Sequence, residues 1–329
     1  MREKRARTLI EKTPLHSPHR FASIDIGTNT LLLLIAETVQ GRLKSLFEME
    51  TVVRLGEGLQ KNGAISPGAM QRGYDTLKGY LGYCRAWDVR DIFAVGTSVL
   101  RDAKNSGEFC RMAQEGLDLN IDVISEEEEA SLSYLAVVRD LEKTAKPIVV
   151  VDVGGGSTEF ILGECERVLE WVSLPLGLVR FTEQFLVSDP VREGEWNRMA
   201  DVIRASLSEI PHPSEPFSMV SVGGTGTTLA SVQQGLKEFV PGRIHHFILS
   251  KEEIQNQLSL YRSKTMEERK MIPGLPWDRA DVILAGGTIL YLAMEELRCP
   301  AVMISTHGVR DGLLYQKLKL QEAAFSGQG

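Results

Sequence analysis

Cysteine is scarce and scattered: Cys84, Cys110, Cys165 and Cys299 are the only four in 329 residues, with no C-x-x-C and no histidine pair nearby at zinc spacing. That excludes a disulfide framework and a zinc-finger module, and fits free thiols in a reducing cytoplasm. The six histidines, His16, His19, His212, His245, His246 and His307, match no metal-ligand motif, and His245 and His246 read as a surface loop after Pro241-Gly242. Long apolar runs are also missing. The stretch Leu31 to Ala36 falls far short of the ~20 residues that span a bilayer, so no membrane segment is expected. The amino end lacks the apolar core of a secretory signal, and a cytoplasmic protein is expected. Positive charge is in deficit too: the chain carries 37 Lys and Arg against 44 Asp and Glu, a formal charge of −7. Residues 1–20 are nonetheless basic, which makes the rest more acidic still, and they read as a solvated tail. An acidic body argues against broad nucleic-acid binding, which needs a basic face to displace counterions, so no DNA partner is expected.

Glycine is in excess, with 30 residues, or about 9% against a usual ~7%. Two of the glycine clusters are copies of one another. The segment Phe21-Ala-Ser-Ile-Asp25-Ile-Gly27-Thr28-Asn29-Thr30 aligns with Ile148-Val-Val-Val-Asp152-Val-Gly154-Gly155-Gly156-Ser157 at a constant offset of 127 residues. Each copy is an apolar β-branched run, a break rich in Gly, Thr, Ser and Asn, and a second apolar run, which predicts strand, tight turn, strand. An aspartate inside such a run is costly to bury unless it meets a cation or donors, and two in equivalent places imply a shared purpose. The glycines after them let successive amides converge on an anion. Two facing hairpins of this kind could clamp a phosphate chain, with hydroxyls of Thr28, Thr30, Ser157 and Thr158 helping. An ordinary hairpin is the plain alternative for either copy alone.

A third cluster, Gly223-Gly224-Thr225-Gly226, follows an apolar run and leads into a helical pattern from Leu229. A strand-to-helix turn suits a phosphate contact at a helix amino end, although tight packing explains the glycines equally well. It lacks the Gly-Lys-Ser/Thr of a P-loop. Between the hairpins the pattern predicts a helix over 67–86, a strand over 91–96, a turn over 97–103, a helix over 106–117, a strand over 121–124 and a helix from Glu126 to Leu141. Ser125 with Glu128 three residues on predicts a capping box. The helix dipole alone accounts for Glu126, Glu127 and Glu128. A helix with a small-residue face is predicted after Leu284.

Seven motifs now stand in order: Asp25-Ile-Gly-Thr-Asn-Thr, Val53-Arg-Leu-Gly-Glu-Gly-Leu, Gly96-Thr-Ser-Val-Leu-Arg-Asp-Ala-Lys-Asn, Ile124-Ser-Glu-Glu-Glu-Glu-Ala, Val151-Asp-Val-Gly-Gly-Gly-Ser-Thr-Glu, Gly223-Gly-Thr and Gly308-Val-Arg-Asp-Gly. On them, from about Phe21 to Tyr315, the chain resembles the exopolyphosphatase/guanosine pentaphosphate phosphohydrolase (Ppx/GppA) family of the actin, sugar-kinase and chaperone ATPase superfamily. The resemblance implies an α/β fold of two ribonuclease-H-like domains around a central cleft. The expected division is a tail over 1–20, domain I over 21–125 and domain II over 126–310, with a C-terminal helix at about 311–329 available to return to domain I. It also implies hydrolysis of the terminal phosphoanhydride of polyphosphate or pppGpp. Carried over by motif, Glu129 resembles the carboxylate that activates water, and Asp152 and Glu159 resemble the Mg²⁺-binding pair. Asp25, Gly27, Thr28, Asn29, Thr30, Gly154, Gly155, Gly156, Ser157, Thr158, Gly223, Gly224 and Thr225 are then the expected phosphate-binding residues. Arg101, and with less support Arg54, are the expected guanidinium contacts, surface ion pairs being the alternative.

Two departures from the family pattern carry consequences. Ser131 stands where the family commonly has Arg, which predicts loss of a phosphate contact or of a cation that keeps Glu129 ionised. The longer members' C-terminal helical domains are not found in this sequence, which predicts exolytic but weakly processive attack. Alternatives in other classes are a kinase of the same superfamily and a non-hydrolytic sensor that closes on ppGpp or polyphosphate; Ser131 lends the sensor weight. The choice between polyphosphate and pppGpp, and a homodimer, stay open at this level.

Overall fold

The computed structural model describes residues 19–39, 42–141, 146–214 and 216–319. The expected tail up to residue 18, and the expected C-terminal helix beyond 319, lie outside the described residues.

Two mixed sheets organise the chain. The first contains β1 (Arg20–Ile26), β2 (Thr30–Val39), β3 (Arg42–Val52), β4 (Val89–Gly96) and β5 (Ile121–Val123), in the order β3-β2-β1-β4-β5. The second contains β6 (Ile148–Val153), β7 (Thr158–Glu164), β8 (Arg167–Leu174), β9 (Ser218–Val222), β10 (Ile248–Ser250) and β11 (Ala301–Ile304), in the order β10-β11-β9-β6-β7-β8. In both, an antiparallel three-strand meander adds parallel strands beside its first member. This is the ribonuclease-H-like arrangement, present twice.

The sequence repeat persists at the level of register. Asp25 pairs across its hairpin with Leu32 and Asp152 with Glu159, again 127 residues apart. In the parallel direction Asp25 faces Val95 and Asp152 faces Val222. Even the β-bulge recurs, between Ile35 and Ala36 in one sheet and between Leu162 and Gly163 in the other.

The strands read as continuous apolar runs because helices cover both faces. Leu31, Leu33 and Ile35 point into a core shared with Leu77 and Tyr80 of the Pro67–Ala86 helix, whereas Leu34 and Ala36 meet Leu314 on the opposite side. Ser66 and Ser125 cap their helices, accepting from the amides of Ala69 at 3.2 Å and Glu128 at 3.1 Å. For Ser125 only this half of the predicted box forms. Two local expectations change. The 97–103 turn contains a short helix, Ser98–Asp102, and the third glycine cluster is itself helical, since the helix runs Gly223–Gln233 rather than starting at Leu229. Gly223 makes that early start possible by taking φ +77°, a left-handed turn straight out of β9.

The sheets exchange helices. Helix Glu126–Asp140, which follows the first sheet, packs Ala130, Tyr134 and Val137 on Val150, Ile161 and Val220 of the second. Helix Val309–Lys317, which follows the second sheet, returns Val309, Leu313 and Leu314 to Val95 and Leu34 of the first. The two helices touch where Gly312 lies against Leu132: a Cβ at Gly312 would stand 2.0 Å from the Leu132 carbonyl oxygen. No helix among the described residues is long and apolar enough to cross a membrane.

Candidate active site

A cavity of about 960 Å³ opens between the two sheets. The duplicated hairpins form its floor, each closed by the same bond: the Gly27 amide donates to Thr30 O at 3.0 Å and the Gly154 amide to Ser157 O at 2.9 Å. The turns face one another closely enough that a Cβ on Gly155 would sit 2.7 Å from Thr28 Cβ, and one on Gly156 2.4 Å from Ser98 Oγ. The cavity wall includes Asp25, Gly27, Thr28, Asn29, Thr30, Glu129, Asp152, Gly154, Gly155, Gly156, Ser157, Gly223 and Gly224. The helix that begins at Gly223 presents its first turn there, and first-turn amides have no intrahelical acceptors.

Five expected residues are absent from the wall. Thr158 and Thr225 are buried, and their hydroxyls go to the carbonyls of Leu176 (2.5 Å) and Val153 (3.5 Å), which is packing rather than ligand chemistry. Glu159 is buried beneath the second turn, accepting from Ser157 Oγ at 2.8 Å and Ser173 Oγ at 3.0 Å. Arg101 stands behind Glu129, donating to its Oε2 at 2.6 Å and to the Ile124 carbonyl at 3.0 Å, while its buried Nη2 has no acceptor. Arg54 is committed elsewhere, to both carboxylate oxygens of Asp281 at 2.5 and 3.0 Å.

Glu129 and Ser133 lie one helical turn apart on the same face, so the helix that delivers Glu129 also donates from Ser133 Oγ to Asp152 Oδ2 at 3.1 Å. Asp25, Glu129 and Asp152 in the wall thus stand with Glu159 beneath them, and burial raises all four. Asp25 is pushed well above the usual range by burial and then by the charges of Glu129 and Asp152. Glu159 moves the same way for the same reasons. Burial takes Asp152 up to about 6 against the Ser133 hydrogen bond. Glu129 rises to about 7 through burial, opposed by the Arg101 guanidinium. Asp25 Oδ1 is buried without any hydrogen-bond partner. An oxygen-only donor set, one oxygen of it orphaned, fits a hard divalent cation.

The concern over Ser131 does not carry into the structure. Its side chain is exposed while Glu129, Ala130 and Leu132 are buried, so that position does not face the cleft, and the cation beside Glu129 is Arg101. Sequence reasoning gave no signal for Arg279. It reaches the cleft from the far end of the chain, donates to Thr30 Oγ1 at 3.3 Å and pairs with Glu50. A Cβ on Gly224 would strike its guanidinium at 2.2 Å. Arg310, pairing with Glu48, is a second cationic group in the wall.

A model of the Ppx/GppA phosphatase family matches residues 34–321. Exopolyphosphatase 2 of Mycobacterium tuberculosis is 32% identical over 311 residues, covering 89% of this chain and 97% of that protein. Guanosine-5'-triphosphate,3'-diphosphate pyrophosphatase of Vibrio cholerae is 31% identical over 304 residues; the chain spans 59% of that longer relative, and 42% of a bifunctional 3-dehydroquinate synthase/phosphatase of Fusobacterium nucleatum. The crystal structure of the Aquifex aeolicus Ppx/GppA family member superposes with a TM-score of 0.78 at 31% identity, covering 92% of this chain and 98% of that one. Sequence match and superposition both run across the two sheets and the cleft between them, and on that ground the chain belongs to the Ppx/GppA phosphatase family.

Proposed function

We propose that this protein is a phosphoanhydride hydrolase that releases terminal orthophosphate from inorganic polyphosphate or from a guanosine pentaphosphate. One observation carries the reading: Glu129, buried and held by Arg101 at 2.6 Å, stands in the wall of a cleft lined by both glycine turns. Glu129 takes a proton from a water molecule as the water oxygen bonds to the terminal phosphorus. The bridging P–O bond breaks, and the chain leaves shortened by one phosphate. The amides of both hairpins and of the Gly223 helix hold the phosphate in line, Arg279 and Arg310 are the guanidinium groups in the wall, and the spare Nη2 of Arg101 lies behind Glu129. Asp152 and Asp25 would hold Mg²⁺, which supplies neutralisation of phosphoryl oxygens. Glu159, behind Asp152, would act through the second turn. These carboxylates do not close into a cage of three, which suits an ion that keeps several waters and shares the phosphate.

The names of the relatives support hydrolysis over a non-hydrolytic sensor. The test is orthophosphate release from polyphosphate and from pppGpp, with Mg²⁺ and with chelator. Release from at least one substrate, lost on chelation, is expected, and Asp152→Ala should raise the Mg²⁺ concentration required. Tight binding of both ligands with no release over hours would replace the hydrolase by a sensor, and chelator-insensitive release would remove the metal.

A further inference from the structure

Away from the carboxylate floor, three segments far apart in sequence bring nitrogen donors to one carboxylate. Asp140 ends the helix that begins with Glu126, His245 and His246 follow the turn Pro241–Ile244, and His307 lies between β11 and helix Val309–Lys317. One ligand atom each from Asp140, His245 and His307 fall within 4.8 Å of one another, the only such group of His, Cys, Asp and Glu among the described residues. His245 Nε2 is 2.8 Å from Asp140 Oδ2 and His246 Nε2 is 2.7 Å from the same oxygen. His307 Nδ1 lies 3.6 Å from Oδ1, buried and without a hydrogen-bond partner. His246 has φ +61°, a conformation uncommon outside glycine, which sets its ring against that of His245 with centroids 4.0 Å apart. His245 and His246 lie in a loop as expected, and only the fold brings residue 307 to 245.

A neutral imidazole offers one ring-nitrogen lone pair, and the Asp140 carboxylate offers two oxygens. Neutral imidazoles with a carboxylate are the donors preferred by Zn²⁺ and its first-row neighbours, whereas Mg²⁺ prefers oxygen alone.

We propose that Asp140, His245, His246 and His307 bind a zinc-type divalent transition-metal ion, at a site chemically distinct from the carboxylates of the cleft. The Thr306 amide donates to His245 Nδ1 at 3.1 Å. Coordination through Nε2 moves the ring proton to Nδ1, where Thr306 Oγ1, also 3.1 Å away, accepts it as the outer-shell partner of the ligand. The ion would fasten the end of the helix that bears Glu129 to the loop that opens the returning helix, and so brace the two exchanged helices.

The test uses untagged, chelator-stripped full-length protein titrated with Co²⁺ as a coloured stand-in for Zn²⁺. One Co²⁺ per chain, with the intense visible bands of a tetrahedral site that Zn²⁺ abolishes, is expected, together with a rise in Tm. These bands should persist in Asp152→Ala, and His307→Ala should weaken Co²⁺ by about tenfold or more while circular dichroism stays native. Asp140→Asn, which keeps the side-chain shape, should lose the bands as well and decides the matter if His307→Ala does not fold. Absence of tetrahedral bands, or bands that survive both of these variants, overturns the proposal.

Discussion

Glu129 is set by two opposed influences, burial that favours its protonated form and a guanidinium at 2.6 Å that favours the carboxylate. Removing the second leaves the first, together with the charges of Asp152 and Glu126, which act in the same direction. Arg101→Met should therefore move the acid limb of the pH–rate profile upward from near pH 7, because a base must be ionised to accept a proton. An unmoved limb with lowered activity would place Arg101 on the phosphate alone. The same burial has a sign for stability. The folded-state pKa values of Asp25, Glu129, Asp152 and Glu159 are all raised, so the metal-free fold binds these protons more tightly than the unfolded chain. Their stabilising contribution is full below the unfolded carboxylate range and is lost as pH rises through the folded values, about 6 for Asp152 and 7 for Glu129. Metal-free Tm should decline across that window, and both Asp25→Asn and added Mg²⁺ should flatten the decline. A Tm that climbs from pH 5 to 7 and is insensitive to Asp25→Asn would contradict the burial argument. Much of this was legible in the residues themselves: an aspartate in an apolar strand advertises its cost. The partnership of Arg101 with Glu129 was not, because 28 residues and a change of sheet separate them.

The duplicated hairpins were legible because a turn of glycines between two apolar runs is a local pattern, and its repetition removes chance. Register was needed to see how the copies differ: the second hairpin sets Glu159 opposite its aspartate, whereas the first sets Leu32 there. The repeat therefore yields two turns of unequal charge. The exchange of helices was only half legible, since it depends on which faces meet. Gly312 makes the contact possible. Gly312→Ala must push the helices apart against backbone, and should cost ~1–3 kcal/mol with a lowered Tm. Gly79→Ala, exposed on the Pro67–Ala86 helix with nothing near its would-be Cβ, should instead stabilise by ~0.5–1 kcal/mol. Equal effects from the two would show that the helix crossing tolerates separation.

At the scale of the whole molecule, arginines join the two halves of the cleft. Glu50 and Thr30 of the first sheet meet Arg279, Arg54 meets Asp281, and Glu48 meets Arg310 of the returning helix. None was visible in the sequence, where the partners lie 227 to 262 positions apart. The Arg54 side chain is spent on Asp281 and the Asp278 carbonyl rather than on a residue expected to hold phosphate, and its pair is partly exposed, so Arg54→Ala should raise KM by about two- to fivefold with little change in kcat. A change confined to kcat would mean that the pair shapes the chemistry rather than the closure of the cleft.

The central claim is that Glu129, and not a neighbour in its acidic run, is the base of a phosphoanhydride hydrolase. Glu129→Gln and Glu128→Gln preserve shape and differ by one helical position, one buried in the cleft and the other half-buried beside the cap. The decisive measurement is orthophosphate release by both variants at saturating substrate and Mg²⁺, with substrate affinity measured in parallel. The account predicts a loss of ~10²- to 10⁴-fold in kcat for Glu129→Gln with affinity retained, and near-normal turnover for Glu128→Gln. Undiminished release by Glu129→Gln, or a dead Glu128→Gln beside an active Glu129→Gln, would contradict it.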